Sequence, residues 1–129
     1  MKVLIVEDSS TMRRIIANVL KELEFQEGDI ETAEDGLDAW RKISYSKFDV
    51  ILTDWNMPNM SGYELTQKIR TQKNPNTNAP IIMITTEAAK TEVIAALKVG
   101  VSNYIIKPFN AETLKLKLKE VIKRLEFVL

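Results

Sequence analysis

Val3-Leu4-Ile5-Val6-Glu7-Asp8 runs four apolar residues without a break and closes on two acids. An unbroken apolar run this short is the habit of a strand covered on both faces, as in a parallel sheet layered between helices. Working outward, the same alternation recurs down the chain. Met12, Ile15, Ile16, Val19, Leu20 and Leu23 follow at helical spacing. Ile30 to Ala33 is a weaker strand, and Asp35-Gly36 turns the chain into a helix carrying Leu37, Trp40 and Ile43. Phe48 to Asp54 contains the buried run Val50-Ile51-Leu52. Ser61 with Glu64 three residues on is a capping-box signature for the next helix.

Pro80 then introduces Ile81-Ile82-Met83-Ile84, a third strongly apolar strand. A helix is predicted over roughly Glu87 to Val99, with Gly100 as its C-terminal cap. Tyr104-Ile105-Ile106 is the last strand, and Leu114, Leu118, Val121, Ile122 and Leu125 mark a final amphipathic helix after Asn110. Five βα units in series imply a parallel sheet with helices on both faces. The polar stretch from Thr71 to Ala79 reads as a surface loop. No internal repeat or linker is visible, so residues 1–129 are expected to form one α/β domain, with no effector domain attached.

Composition narrows the chemistry. Eighteen basic residues balance eighteen acidic ones, which leaves no footprint for generic nucleic-acid binding. The chain has no cysteine and no histidine, so thiolate or imidazole catalysis and the usual zinc ligands are excluded. Carboxylates, hydroxyls, amides and amines must do any chemistry. No apolar run is long enough for a signal peptide or a membrane span, so a cytoplasmic protein away from membranes is expected.

Open α/β sheets bind ligands outside the carboxyl ends of their strands. Strand one ends in Glu7-Asp8, strand three in Asp54, strand four in Thr85 and strand five in Lys107-Pro108. Strand two ends near Ala33-Glu34 with nothing distinctive. Taken singly, an acid at a strand end more often caps a turn, and a lone lysine is more often a solvated charge. Together they make a constellation. Two carboxylates about 4 Å apart repel by about 4 kcal/mol at an effective dielectric of about 20. Such a cluster needs a cation or a raised pKa. Oxygen ligands with a phosphate suit Mg²⁺, and a lysine with a hydroxyl opposite completes a clamp on a phosphoryl group.

Four segments carry a family resemblance that covers essentially the whole chain: Val6-Glu7-Asp8-Ser9-Ser10-Thr11-Met12-Arg13-Arg14, Thr53-Asp54-Trp55-Asn56-Met57-Pro58-Asn59-Met60-Ser61-Gly62, Thr85-Thr86-Glu87-Ala88, and Tyr104-Ile105-Ile106-Lys107-Pro108-Phe109. In them the sequence resembles bacterial response-regulator receiver domains, and the stretch from Asp54 to Met60 points to the chemotaxis branch. The resemblance implies a flavodoxin-like (βα)5 fold, doubly wound, with strand order 2-1-3-4-5. It implies that Asp54 accepts a phosphoryl group, that Asp8 and the backbone carbonyl of Asn56 ligate Mg²⁺, and that Glu7 serves through a metal-bound water. Many relatives carry aspartate at the position of Glu7. Thr85 matches the hydroxyl that bonds the phosphoryl oxygen and Lys107 the lysine that pairs with it, across a cis bond to Pro108. Asn56 and Glu87 match positions that tune hydrolysis of the acyl phosphate.

By the same resemblance, Lys90, Tyr104 and Lys117 lie on an output face of helix four, strand five and helix five. Thr85 would move toward the phosphoryl group and make room for Tyr104 to turn inward. The expected protein is a monomeric switch and not a true enzyme. Its expected partners are a chemotaxis-type sensor histidine kinase, a flagellar motor switch protein and a phosphatase. A stand-alone phosphorelay or phosphate-sink receiver has the same acidic site and differs only in output. Two other classes fit less well. A dehalogenase-type phosphatase wants a second aspartate two residues after its nucleophile, where Asn56 stands. A flavodoxin wants a phosphate loop after strand one; Ser9-Ser10-Thr11 imitates it weakly, but Glu7-Asp8 would repel the flavin phosphate.

Overall fold

The computed structural model describes residues 1–128; the side chains of residues 124–128 lie outside that description. Five strands, β1 (Val3–Val6), β2 (Ile30–Ala33), β3 (Val50–Asp54), β4 (Ile81–Thr85) and β5 (Asn103–Ile106), alternate with five helices. The helices are α1 (Ser10–Glu22), α2 (Gly36–Tyr45), α3 (Gly62–Thr71), α4 (Lys90–Val99) and α5 (Ala111–Val128). All four strand pairings are parallel, in the order β2-β1-β3-β4-β5. The fold is the flavodoxin-like doubly wound sheet expected from the sequence. Among the described residues, no helix is long and apolar enough to cross a membrane.

The pleat sorts the apolar strands into two large cores, with a third, smaller cluster of Met83, Ala96 and Val101 beside α4. Val3, Ile5, Val50, Leu52, Ile82, Ile84 and Ile105 face α1 and α5, where Ile16, Leu20, Leu114, Leu118 and Val121 close over them. Leu4, Val6, Ile51 and Ile81 face α2 and α3, against Ala39, Ile43, Leu65 and Ile69. Every residue of β1, β3 and β4 is buried, which is why those strands read as unbroken apolar runs. Burying each large aliphatic side chain contributes roughly 1.5–3 kcal/mol. β2 is an edge strand and only Ala33 is fully buried, which accounts for its weaker pattern.

Local signals fixed most helix ends. Asp35 caps α2 by accepting from Asp38 N at 2.8 Å. Ser61 and Glu64 form the reciprocal box at the start of α3. Gly100 adopts φ 113 after α4, where a Cβ would meet the Arg70 side chain at 2.8 Å.

Three expectations need correction. The helix expected from Glu87 begins at Lys90, after an Ala89 cap that makes no side-chain bond. Nothing in Glu87-Ala88-Ala89 caps the backbone, and the Glu87 peptide is bonded elsewhere. Ile15 and Leu37 sit at helical spacing but are 44% and 50% exposed, because each helix shows the sheet a narrower stripe than its apolar pattern spans. The stretch from Thr71 to Ala79 is not merely a surface loop: Asn76 is buried within it. Its Oδ1 accepts from Phe48 N at 2.7 Å, while its Nδ2 donates to Ile43 O and Ser46 O at 2.8 and 2.7 Å. Leu125, expected on the apolar face of α5, lies outside the described side chains.

Candidate functional site

β1 and β3 are neighbours in register, Val6 opposite Thr53, so their carboxyl ends deliver Glu7, Asp8 and Asp54 to one place. One carboxylate oxygen from each lies within 4.8 Å of the others. Glu7 and Asp54 are buried and Asp8 is exposed. Lys107 reaches in from the far side of β4: its Nζ is 3.0 Å from Glu7 Oε1 and 3.3 Å from Asp54 Oδ1. Glu7, Asp8, Asp54 and Lys107, which the sequence reading put at three separate strand ends, thus lie together, and the peptide bond between Lys107 and Pro108 is cis.

The electrostatics follow the burial. Removal from water pushes the Asp54 carboxyl above its ordinary range, with Lys107 opposing and the nearby Asp8 adding to the rise. Burial likewise raises Glu7, against the pull of the Ser9 amide and of Lys107. For Lys107, burial works against the charge, but Glu7 and Asp54 outweigh it and hold the ammonium above its usual range. Three carboxyl groups thus gather where there is one lysine ammonium.

Two contacts to Glu7 escaped the sequence reading. Ser9 N donates to Glu7 Oε2 at 3.1 Å, and Arg13 Nη1 donates to the Glu7 carbonyl at 2.6 Å. Arg13 is one helical turn into α1, and its position after the acidic pair was the available signal.

Thr85 ends β4 fully buried. Its Oγ1 accepts from Glu87 N at 3.1 Å, and the carbonyl of the same Glu87 accepts from the Tyr104 hydroxyl. One residue of backbone thus joins Thr85 to Tyr104. Tyr104 is half-buried, its ring edge-on to Trp55 at 6.5 Å between centroids. Burial raises its phenol, and the charges of Glu87 and Glu92 add to that. Asn56 is exposed on the loop directly after Asp54. Lys90 and Lys117 lie outside the acidic cluster, Lys90 exposed at the first position of α4 and Lys117 partly exposed on α5.

The family model described as the response regulator receiver domain matches residues 3–119. The chain is 52% identical over 123 residues to the chemotaxis protein CheY1 of Helicobacter pylori, covering 95% of this chain and 97% of that protein. Among solved structures, it is similar to the chemotaxis response regulator CheY4 of Vibrio cholerae, with 38% identity and a TM-score of 0.84. That match covers 93% of this chain and 97% of the other. The receiver domain of a sensor histidine kinase from Pseudomonas aeruginosa, solved with a magnesium ion coordinated in its active site cleft, matches at 30% identity and a TM-score of 0.81. There the coverage is 95% of this chain and 97% of that one.

Proposed function

The chain belongs to the response regulator receiver family, and on that premise we propose that its signal is a phosphoryl group carried on Asp54 and read on the face of α4, β5 and α5. It is a CheY-type chemotaxis response regulator, a signalling switch and not a true enzyme. The observation that carries the reading is the acidic cluster of Glu7, Asp8 and Asp54 with Lys107 reaching into it.

The donor set suits a hard divalent ion. It offers only oxygens, and burial raises two of its carboxyls, so added positive charge is favoured there. Asp8, Asp54 and the Asn56 carbonyl would hold Mg²⁺, with Glu7 acting through a water. When bound, the ion neutralises charge on Asp54 and on the incoming phosphoryl oxygens. Asp54 supplies the attacking oxygen. The bond from phosphorus to the imidazole nitrogen of a kinase phosphohistidine breaks, and an acyl phosphate forms on Asp54. Lys107 exchanges its carboxylate partners for the new phosphoryl oxygens, and Thr85 turns its hydroxyl to the same group.

That turn has a physical route to the surface. Thr85 holds the Glu87 amide and Tyr104 holds the Glu87 carbonyl, so re-aiming the Thr85 hydroxyl alters the support under Tyr104. The face beyond is suited to docking. Ile94 and Leu97 on α4, Ile106 on β5 and Leu116 on α5 are all exposed, and Lys90 and Lys117 stand on the same two helices. We assign that face to a flagellar motor switch protein, with a sensor histidine kinase as donor, a phosphatase as a further partner, and a monomer working in the cytoplasm.

Acetyl phosphate with Mg²⁺ tests the assignment. The intact protein should gain the mass of one phosphoryl group, and borohydride trapping should place it on Asp54. Asp54→Asn should gain none. A label on Glu7 or Asp8 in the unaltered protein refutes the division of roles.

A further inference from the structure

We propose that Asp35 and Asn59 are positioning residues for the metal: their side-chain hydrogen bond holds the loop between β3 and α3 in the shape that presents the Asn56 carbonyl. The inference rests on the metal reading above and extends it to two residues that do not touch the ion.

The loop leaves β3 directly after Asp54 and is fixed at its base. Gly62 N donates to Trp55 O at 2.7 Å, and a Cβ on Gly62 would lie 2.1 Å from Asp54 O, so the two ends of the loop touch backbone to backbone. The outer half is different. Asn59 has φ 71, and Met60 N donates to Pro58 O at 2.8 Å, a three-residue turn of a strained kind. Strained backbone persists only where its surroundings over-determine it, and such positions cluster at functional sites.

The surroundings come from the start of α2. Asn59 Nδ2 donates to Asp35 Oδ2 at 2.9 Å. The other oxygen of Asp35 accepts from Asp38 N at 2.8 Å and begins the helix. Asp35 therefore divides its oxygens between a helix it caps and a loop it holds. Its carboxyl stays below the usual range, through the Asp38 amide first and the Asn59 amide second. Next to it, a Cβ on Gly36 would meet Met60 Cβ at 2.5 Å, so helix and loop pack without a gap. Met57 and Met60 seat the loop on the core beneath α2 and α3, beside Trp40.

Asn56 lies between the fixed base and this outer tether. Mg²⁺ demands near-ideal octahedral geometry, so a ligand that drifts costs binding even when it remains present. Among the described hydrogen bonds, that from Asn59 to Asp35 is the one that ties this loop to the start of α2.

Mg²⁺ titration by calorimetry of the whole chain tests the proposal, on the unaltered protein, Asp35→Ser, Asn59→Gly and the double variant. Serine keeps one oxygen for the Asp38 amide and cannot reach Asn59. Glycine keeps the positive φ open and removes the donor. Each single variant should bind Mg²⁺ about tenfold more weakly, the size of effect that removing a group behind a metal ligand produces. The double variant should bind no more weakly than either single, since both remove one bond. Unfolding midpoints in EDTA check the fold: Asn59→Gly should stay near the unaltered protein, and Asp35→Ser should fall only by the part of the stability that the charged cap supplies. Because the variants cut the bond from opposite ends, one suffices if the other does not fold. Single variants that bind Mg²⁺ like the unaltered protein, or losses that add in the double, overturn the positioning role. An unaltered protein that binds no Mg²⁺, or an Asp8→Ala protein that binds it equally well, instead overturns the metal reading and this inference with it.

Discussion

Lys107 Nζ stands 3.0 Å from Glu7 Oε1, a part-buried ion pair between residues one hundred positions apart. The longer reach of glutamate lets Glu7 take the lysine with one oxygen and the Ser9 amide with the other. With Asp54 Oδ1 also 3.3 Å away, the Lys107 ammonium is the cation paired with the acidic cluster. A divalent ion entering the cluster competes with it.

Lys107→Ala should therefore bind Mg²⁺ more tightly than the unaltered protein, by several-fold, while its metal-free form loses stability. Removing one partner of a buried pair costs about 3–5 kcal/mol at most. Here the loss should fall below that, because Glu7 and Asp54 can protonate. Urea unfolding in EDTA and in Mg²⁺ measures both effects. Weaker Mg²⁺ binding in the variant would show that the lysine helps build the site and does not compete for it.

Asn76 gives a test at the opposite end of the sheet. Its amide satisfies one donor and two acceptors of buried or half-buried backbone. Asn76→Ala leaves all three without a partner, and each such loss costs about 1–3 kcal/mol. A total of roughly 3 kcal/mol is expected, read as a lower urea midpoint. Mg²⁺ affinity should be unchanged, since none of these groups borders the acidic cluster; a shifted affinity would mean that strain crosses the sheet.

These two residues mark what the sequence made legible. That Glu7, Asp8, Asp54 and Lys107 meet was legible because strand ends in a parallel sheet converge by topology, whatever their spacing along the chain. Asn76 was not, because a buried asparagine in a polar loop has the same local pattern as an exposed one. The link from Asn59 to Asp35 was hidden for a related reason. Strand two seemed to end in nothing distinctive because its contribution, Asp35, also serves as an ordinary helix cap. The start of α4 was misplaced because no capping residue stands there to announce it.

Asp35 also predicts a pH response. Its folded pKa is depressed, through the Asp38 amide and then the Asn59 amide. A depressed carboxyl contributes stability that is present above the unfolded pKa of about 3.9 and is lost as pH falls through the lower folded value. Metal-free protein should lose that component below about pH 4, and Asp35→Ser should show a shallower acid limb there. Urea midpoints between about pH 5 and 2.5 measure the difference. Parallel acid limbs would mean that the Asp35 contacts do not favour its charge.

Lys107→Arg separates gaining the phosphoryl group from reporting it. Arginine keeps the charge but replaces a compact ammonium with a planar fork that cannot sit between Glu7 and Asp54 in the same way. During transfer, metal neutralisation makes the exact shape of this cation less important, so phosphorylation by acetyl phosphate should continue at a rate within about tenfold of normal. Afterwards the phosphoryl dianion needs a counter-charge on the strand that bears Tyr104, placed to let Thr85 release its hold on Glu87. A guanidinium there should hold the group in the wrong place. The gain in affinity for a motor-switch peptide, measured per phosphorylated molecule, should fall by at least tenfold. If instead the phosphorylation rate collapses while that gain is kept, Lys107 acts in the chemistry, and the route from Thr85 through Glu87 to Tyr104 runs without it.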